Sequence, residues 1–315
     1  MLERMMQMSV AIKHPAELYH YRHSWFHLFR PLTFTGTIAP ASAGAVLSIQ
    51  HHTFQVEIFI LFLFAILLVQ GSINMLNDYY DFKRGQDQEK WIQPIEDSGI
   101  IHGPSHASLP KVAALMLAIA SLIGLWLAIL TTFWIILVGV AGIMAGWLYS
   151  GGPRPLSSMA LGEVTAFIFM GPAPLFVSLW IQGEHLGFHA FLIALPFAWM
   201  ISTMILTNNI RDIQKDTNHR MTIPILLGKR NAVKLLTVIL MLGYLTMFLL
   251  VLGDYLPLTV VLSILAIPFA IRLVTSYRKD ATRAEELAGM KHAAVHHWAF
   301  SLLFIAGFLI GITFL

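Results

Sequence analysis

Two short stretches carry the groups of this chain best suited to chemistry. They are "NDYYDFKRGQD" at 77–87, with Asn77, Asp78, Asp81 and Asp87, and "NNIRDIQKD" at 208–216, with Asn208, Asn209, Asp212 and Asp216. Both contain N-x-x-x-D, and residues four apart share one face of a helix. Asn77 with Asp81 therefore forms one acidic edge, and Asn208, Asp212 and Asp216 form another over two turns. Carboxylate and amide oxygens without Cys or His suit a hard divalent cation. Mg2+ takes a few carboxylates and completes its shell with phosphate oxygens. Lys83, Arg84, Arg211 and Lys215 stand within the same stretches. Two acidic edges facing each other, with bases around them, describe a site for Mg2+-bound diphosphate.

The position of these clusters adds to that reading. Each closes an apolar run, and a helix C-terminus already carries negative charge. Aspartates there cost roughly 0.3–1 kcal/mol each unless something offsets them. The neighbouring bases offset part, and divalent cations would offset more. One such cluster alone reads equally well as a solvated helix end. The same pattern at two equivalent ends, four helices apart, favours function and hints at a weak internal repeat.

The elements that must position these groups are membrane helices. Of the 315 residues, 57% are hydrophobic and 12% charged. Apolar runs recur at about 31–50, 56–76, 112–131, 133–150, 160–181, 190–207, 232–252, 256–275 and 293–315. Most approach the roughly 20 residues a helix needs to cross a bilayer, and a spanning segment must satisfy its own backbone. The fold expected is an all-α integral membrane bundle of nine helices. Residues 1–24 read as an interfacial lead-in without a cleavable signal peptide, and 25–315 as one domain.

Charge supplies the topology. On the nine-helix map all 20 Lys and Arg fall on one side, whereas the opposite loops hold only Glu57, Glu184 and Asp254. The positive-inside rule places the N-terminus and the basic loops in the cytoplasm and the C-terminus outside. The sequence pI of 9.1 is then a topology signature rather than a sign of nucleic-acid binding. The chain has no cysteine, which excludes disulfides and thiolate chemistry. Its 14 histidines, including His51-His52 and the His292/His296/His297 group, read as interfacial packing and hydrogen bonding, because no third ligand can be placed from sequence.

The two Asp stretches resemble the paired motifs of the UbiA superfamily of membrane prenyltransferases, above all those of menaquinone synthesis that act on 1,4-dihydroxy-2-naphthoate. "FRPLTFTGTIAP", "WLYSGGPRPLSSMALGEV", "ILLGKRNAV" and "GMKHAAVHH" extend the resemblance over about residues 25–312. It implies a central cavity opening to the cytoplasmic side of a plasma-membrane protein. It also implies transfer of a polyprenyl group from its diphosphate to an aromatic acceptor, with Mg2+. On this reading Asp81, Asp212 and Asp216, with Asn77 and Asn208, hold the metal. Asp87, six residues past Asp81, is a further candidate off that face. Lys83, Arg84, Arg211, Lys215 and Arg220 are candidate diphosphate clamps. Tyr149 would face the allylic cation or the diphosphate, or else be an interfacial belt aromatic. Arg154 would meet the acceptor's carboxylate or the diphosphate, or else be a topology charge. Dihydroxynaphthoate would lose its carboxylate as CO2; other acceptors within the superfamily are 4-hydroxybenzoate, haem or another quinone precursor. A cation-coupled transporter would also carry membrane carboxylates, but usually at the bilayer midplane on broken helices. Two departures from the family pattern stand out: His102 where relatives carry an Arg, and Met221 where they carry a Lys. Both are expected to remove a cation near the diphosphate.

Overall fold

The computed structural model describes residues 18–92, 103–184 and 187–314; His102 lies outside them. Helices coincide with all nine apolar runs. We label them α1 (Thr35–Gln50), α2 (Val56–Lys83), α3 (Leu109–Leu130) and α4 (Trp134–Ser150), followed by α5 (Gly162–Trp180), α6 (Phe188–Arg211), α7 (Lys229–Leu252), α8 (Leu258–Thr275) and α9 (Arg283–Phe314). Among the described residues, seven are long and apolar enough to cross a membrane. There are eight if α1 is joined to the short helical stretch Trp25–Thr33, bent from it by 49°. The remaining helix, α4, has 17 residues. The expected nine crossings thus become eight membrane-length spans and one shorter helix, or seven spans and two shorter helices where α1 is counted by itself.

Several boundaries move for physical reasons. α2 runs on to Lys83, so Asp78 and Asp81 sit in its last turns rather than beyond it. α9 begins at Arg283, before the apolar run, with Glu285 and Glu286 in a first turn where acids are favourable. α5 is two helices meeting at Gly171-Pro172. A side chain on Gly171 would put Cβ 2.5 Å from the Ala198 Cβ of α6, so glycine lets the two helices approach. α8 starts as a 3-10 turn series before Pro268.

α6 is the central element. Of its apolar stretch 72% is buried inside the protein, against 22% for α2 and 28% for α3. Its inner side packs into one apolar core with residues of α7 and α9, such as Phe197, Leu236, Phe300 and Phe304. The exposed faces of the outer helices carry Leu, Ile, Phe and Trp, including Trp126 and Leu137, as lipid-facing surfaces do. A two-stranded antiparallel pair, β1 (His20–Tyr21) and β2 (Trp91–Ile92), ties the segment before α1 to the segment after α2. Tyr21, Phe82 and Trp91 pack beneath it. This pair fixes the chain that carries Asp87, Glu89 and Lys90.

Candidate functional site

Both Asp clusters come to one end of a cavity of about 1030 Å3. On α2, Asn77 and Asp81 face it one turn apart, as their spacing requires. On the other side α6 ends at Arg211, and Asp212 caps it before the short helix Ile213–Asp216. The acidic edge survives that break: the Asp212 N–H donates to Asn208 O at 3.2 Å, and the Asp216 N–H to Asp212 O at 2.8 Å. Asn208, Asp212 and Asp216 all line the cavity, and so do Asp87, Tyr149, Arg211 and Arg220.

One guanidinium joins the two edges. Arg220 Nη2 donates to Asp81 Oδ2 at 3.0 Å and to Gln86 Oε1 at 2.7 Å, while its Nε lies 3.5 Å from Asp216 Oδ1. Arg211 acts within its own cluster, donating from Nε to Asp212 Oδ1 and from Nη2 to Asn208 Oδ1, each at 2.8 Å. Arg30 and Lys90 both reach the fully buried Asp78 Oδ1 at 2.9 Å. Arg30 also donates to Asn77 Oδ1 at 3.1 Å. Its backbone is left-handed (φ 53°), a conformation that costs a non-glycine residue energy and often marks function. Asp87 is paired with Lys90 and with Lys215, and Lys215 also holds Glu89 at 2.6 Å.

Electrostatics follow from that pairing. Burial disfavours an ionised Asp87, but Lys90 and Lys215 outweigh it and hold the carboxyl well below the usual carboxylate range. Burial raises the Asp216 carboxyl, with Arg220 opposing. Asp216 would thus be favoured by further positive charge.

Some expected residues stand elsewhere. Lys83 is exposed, its ammonium 5.3 Å from the Tyr79 ring centroid. Arg84 bonds Gly152 O at 3.2 Å and lies 3.9 Å from Asp81; neither base lines the cavity. Lys215 acts on Asp87 from behind the lining, and Arg154 is exposed and off it. Met221 corrects an expectation. Its N–H donates to Ser158 O and its carbonyl accepts from the Ala160 N–H, leaving a side chain 53% exposed and outside the cavity lining. A cation at 221 would point away from the site. Conversely, Arg30 and Lys90 line the cavity although spacing did not single them out; Arg30 could have been suspected from its place beside Pro31. Gln86 and Glu163, the buried partner of Asn209, were likewise missed.

The donor chemistry suits Mg2+. Among the described residues no three carboxylate or histidine groups converge closely enough to bind an ion alone. Mg2+ does not require that, since it is commonly held by one or two carboxylates and substrate phosphates. Asp81 and Asp216 are 3% and 4% exposed and face the same cavity end, with Asp212 beside them. The rest of the cavity wall is mostly apolar, with Phe62, Val69, Leu127, Val138 and Val177 among its residues and Gln70, Asn74 and Thr165 among the polar exceptions. The cavity therefore offers a charged cap and a mostly apolar body, which fits a molecule with an anionic head and a hydrocarbon body.

Known proteins resemble this chain in sequence and in fold. The chain is 30% identical over 287 residues to a 1,4-dihydroxy-2-naphthoate octaprenyltransferase of Bacillus subtilis (strain 168), covering 91% of this chain and 92% of that protein. It is 28% identical over 261 residues to the protein of the same name in Mycobacterium leprae (strain TN), covering 81% and 85%. A solved UbiA homologue from Archaeoglobus fulgidus, bound to DMAPP and Mg2+, superposes with a TM-score of 0.60 at 16% identity, over 92% of this chain and 99% of that one. The model of the UbiA prenyltransferase family matches residues 37–295. With the helical bundle and the length of that match, the chain belongs to the UbiA prenyltransferase family.

Proposed function

We infer that this membrane prenyltransferase joins a polyprenyl group to 1,4-dihydroxy-2-naphthoate with loss of CO2 and diphosphate, giving demethylmenaquinol, the hydroquinone form of demethylmenaquinone, on the route to menaquinone. The observation that carries the reading is the Arg220 bridge between Asp81 and Asp216 at the charged end of a cavity with an apolar body. The names of the relatives from Bacillus subtilis and Mycobacterium leprae support this choice of acceptor.

The charged end receives the diphosphate. Asp81, Asp212 and Asp216, with Asn77 and Asn208, would hold Mg2+; Asp87, held by two lysines, helps fix the segment after α2. Mg2+ would supply positive charge to the leaving diphosphate. Arg30, Lys90, Arg211 and Arg220 add their own charge at the same end. Together these groups stabilise the oxyanion that develops as the allylic C–O bond breaks. The apolar wall excludes water from the allylic cation, and Tyr149 faces it from the last turn of α4. The ring carbon bearing the carboxylate then bonds to the allylic carbon, and the C–C bond to the carboxylate breaks to release CO2.

Residues 25–315 act as one domain in this reading, with the lead-in before it. The protein sits in the plasma membrane with the charged end toward the cytoplasm, where the basic loops gather. The test is an acceptor panel with one polyprenyl diphosphate and Mg2+, read by mass spectrometry of the lipid products. The expected product carries the prenyl chain and lacks the carboxylate. A product formed only on 4-hydroxybenzoate or haem would replace the acceptor and leave prenyl transfer in place.

A further inference from the structure

Near the diphosphate end stands a buried acid that the proposed reaction does not use. Glu163, in the first turn of α5, is 5% exposed. Its Oε1 accepts from Asn209 Nδ2 at 2.9 Å, while its Oε2 is buried without a hydrogen-bond partner among the described residues. Its backbone carbonyl is held as well, by Ser202 Oγ at 3.2 Å. Ser202 and Asn209 are seven residues apart on α6, so two turns of one helix face grip residue 163 at both its carbonyl and its carboxylate. Asn209, unlike Glu163, lines the cavity. An apolar side chain at 163 would avoid the cost of a half-satisfied buried carboxylate. What the carboxylate supplies is an acceptor that cannot donate. It fixes the Asn209 amide with its NH2 toward α5, which leaves Oδ1 as the group Asn209 offers the cavity.

We propose that Glu163 is a positioning residue: through Asn209 it presents a fixed carbonyl acceptor to the cavity, which selects an aromatic acceptor by a ring hydroxyl that donates to it. This rests on the prenyl-transfer reading above and adds the part of the wall that reads the aromatic ring. The chemistry has a clear direction. A site that holds a substrate hydroxyl by a buried partner loses binding when that partner can turn its NH2 inward. The Glu163→Gln substitution permits that turn, because an amide at 163 can donate to Asn209 Oδ1.

The experiment uses the full chain in detergent with Mg2+, a polyprenyl diphosphate and 1,4-dihydroxy-2-naphthoate. Glu163→Gln is expected to raise KM for the naphthoate about tenfold, as for one lost hydrogen bond, with KM for the diphosphate within about twofold. The exchanged pair, Glu163→Gln with Asn209→Asp, restores one donor facing one obligate acceptor and is expected to recover the naphthoate KM. Parallel changes in both KM values, no change, or an exchanged pair that stays as weak as the single variant would each overturn the proposal. Should the single variant not fold, the exchanged pair decides alone: a naphthoate KM near that of the unaltered protein supports the proposal, and one raised tenfold overturns it. An unaltered protein that prenylates no aromatic acceptor refutes the functional reading itself, which separates the two failures.

Discussion

Arg220 Nη2 lies 3.0 Å from Asp81 Oδ2, joining residues 139 positions apart in the chain. The same guanidinium reaches back one helical turn to Asp216. Arg220 therefore stands where cation and diphosphate charge would meet, and it keeps two buried acids compatible. Removing one partner of such a group costs about 3–5 kcal/mol, because the others stay buried and unpaired. Arg220→Ala should lower the thermal midpoint in detergent by several degrees, and added Mg2+ should restore part of the loss. A midpoint unmoved by the substitution, or equally low with and without Mg2+, would contradict this arrangement.

Metal removal tests the acids themselves. EDTA should abolish turnover, and Mg2+ or Mn2+ should restore it. Asp81→Asn and Asp212→Asn should each lower kcat by about a hundredfold or more, the scale of losing one electrostatic contact in a dry site. Full activity in EDTA would sink the metal-holding role of both motifs.

Met221→Lys distinguishes the sequence expectation from the structure. Family resemblance alone suggests that lysine at 221 should tighten diphosphate binding. The Met221 side chain is half exposed and its backbone is paired with Ser158 and Ala160. A surface change of this kind is worth at most about 0.5 kcal/mol. KM for the diphosphate should therefore stay within about twofold. A tenfold fall in KM would mean that the segment 219–222 turns inward when substrate binds.

The pairing of Asp87 with Lys90 and Lys215 makes acid stability a readout. The folded protein holds the Asp87 carboxyl below its ordinary value of 3.8, since the two lysines outweigh its burial. A lowered carboxyl contributes stability that is complete above its unfolded value and is lost as pH falls toward the folded one. Lys215 is about one-third exposed, so solvent screens its share and a modest effect is expected. Melting curves from pH 7 to pH 3 should show a shallower acid loss in Lys215→Ala than in the unaltered protein. Superimposable acid limbs would show that Lys215 does not hold Asp87.

What the sequence could reveal follows from the range of each interaction. Asn77/Asp81 and Asn208/Asp212/Asp216 were legible because a helix maps a spacing of four onto one face, and the break at Asp212 preserves that geometry. Arg30 was not, because its partners Asn77 and Asp78 lie 47 and 48 positions along the chain and its direction depends on a left-handed turn. Lys83 shows the opposite failure. It stands two residues from Asp81, yet on a helix that spacing turns it away to the exposed face over Tyr79. Glu163 stayed hidden because its value lies in one long-range contact with Asn209. The bundle was legible as apolar length, but α4 was not settled by it.

That helix sets the last prediction. α4 has 17 residues, which at 1.5 Å per residue makes roughly 26 Å, slightly short of the roughly 30 Å hydrocarbon core. Local thinning of the bilayer accommodates such a mismatch at modest cost. Its exposed Trp134 and Phe133 at one end and Trp147 at the other are placed as interfacial anchors of a crossing helix would be. If α4 crosses, a reporter fused after Leu315 reads as external and one placed after Arg84 reads as cytoplasmic. If α4 does not cross, every later loop changes side. Arg220 and Asp81 would then be reported on opposite faces of the membrane, although they are hydrogen-bonded at 3.0 Å. Reporters near residues 84 and 218 should therefore agree with each other, and the C-terminal reporter should oppose both; agreement of all three would remove one crossing after residue 218 and undo the charge map.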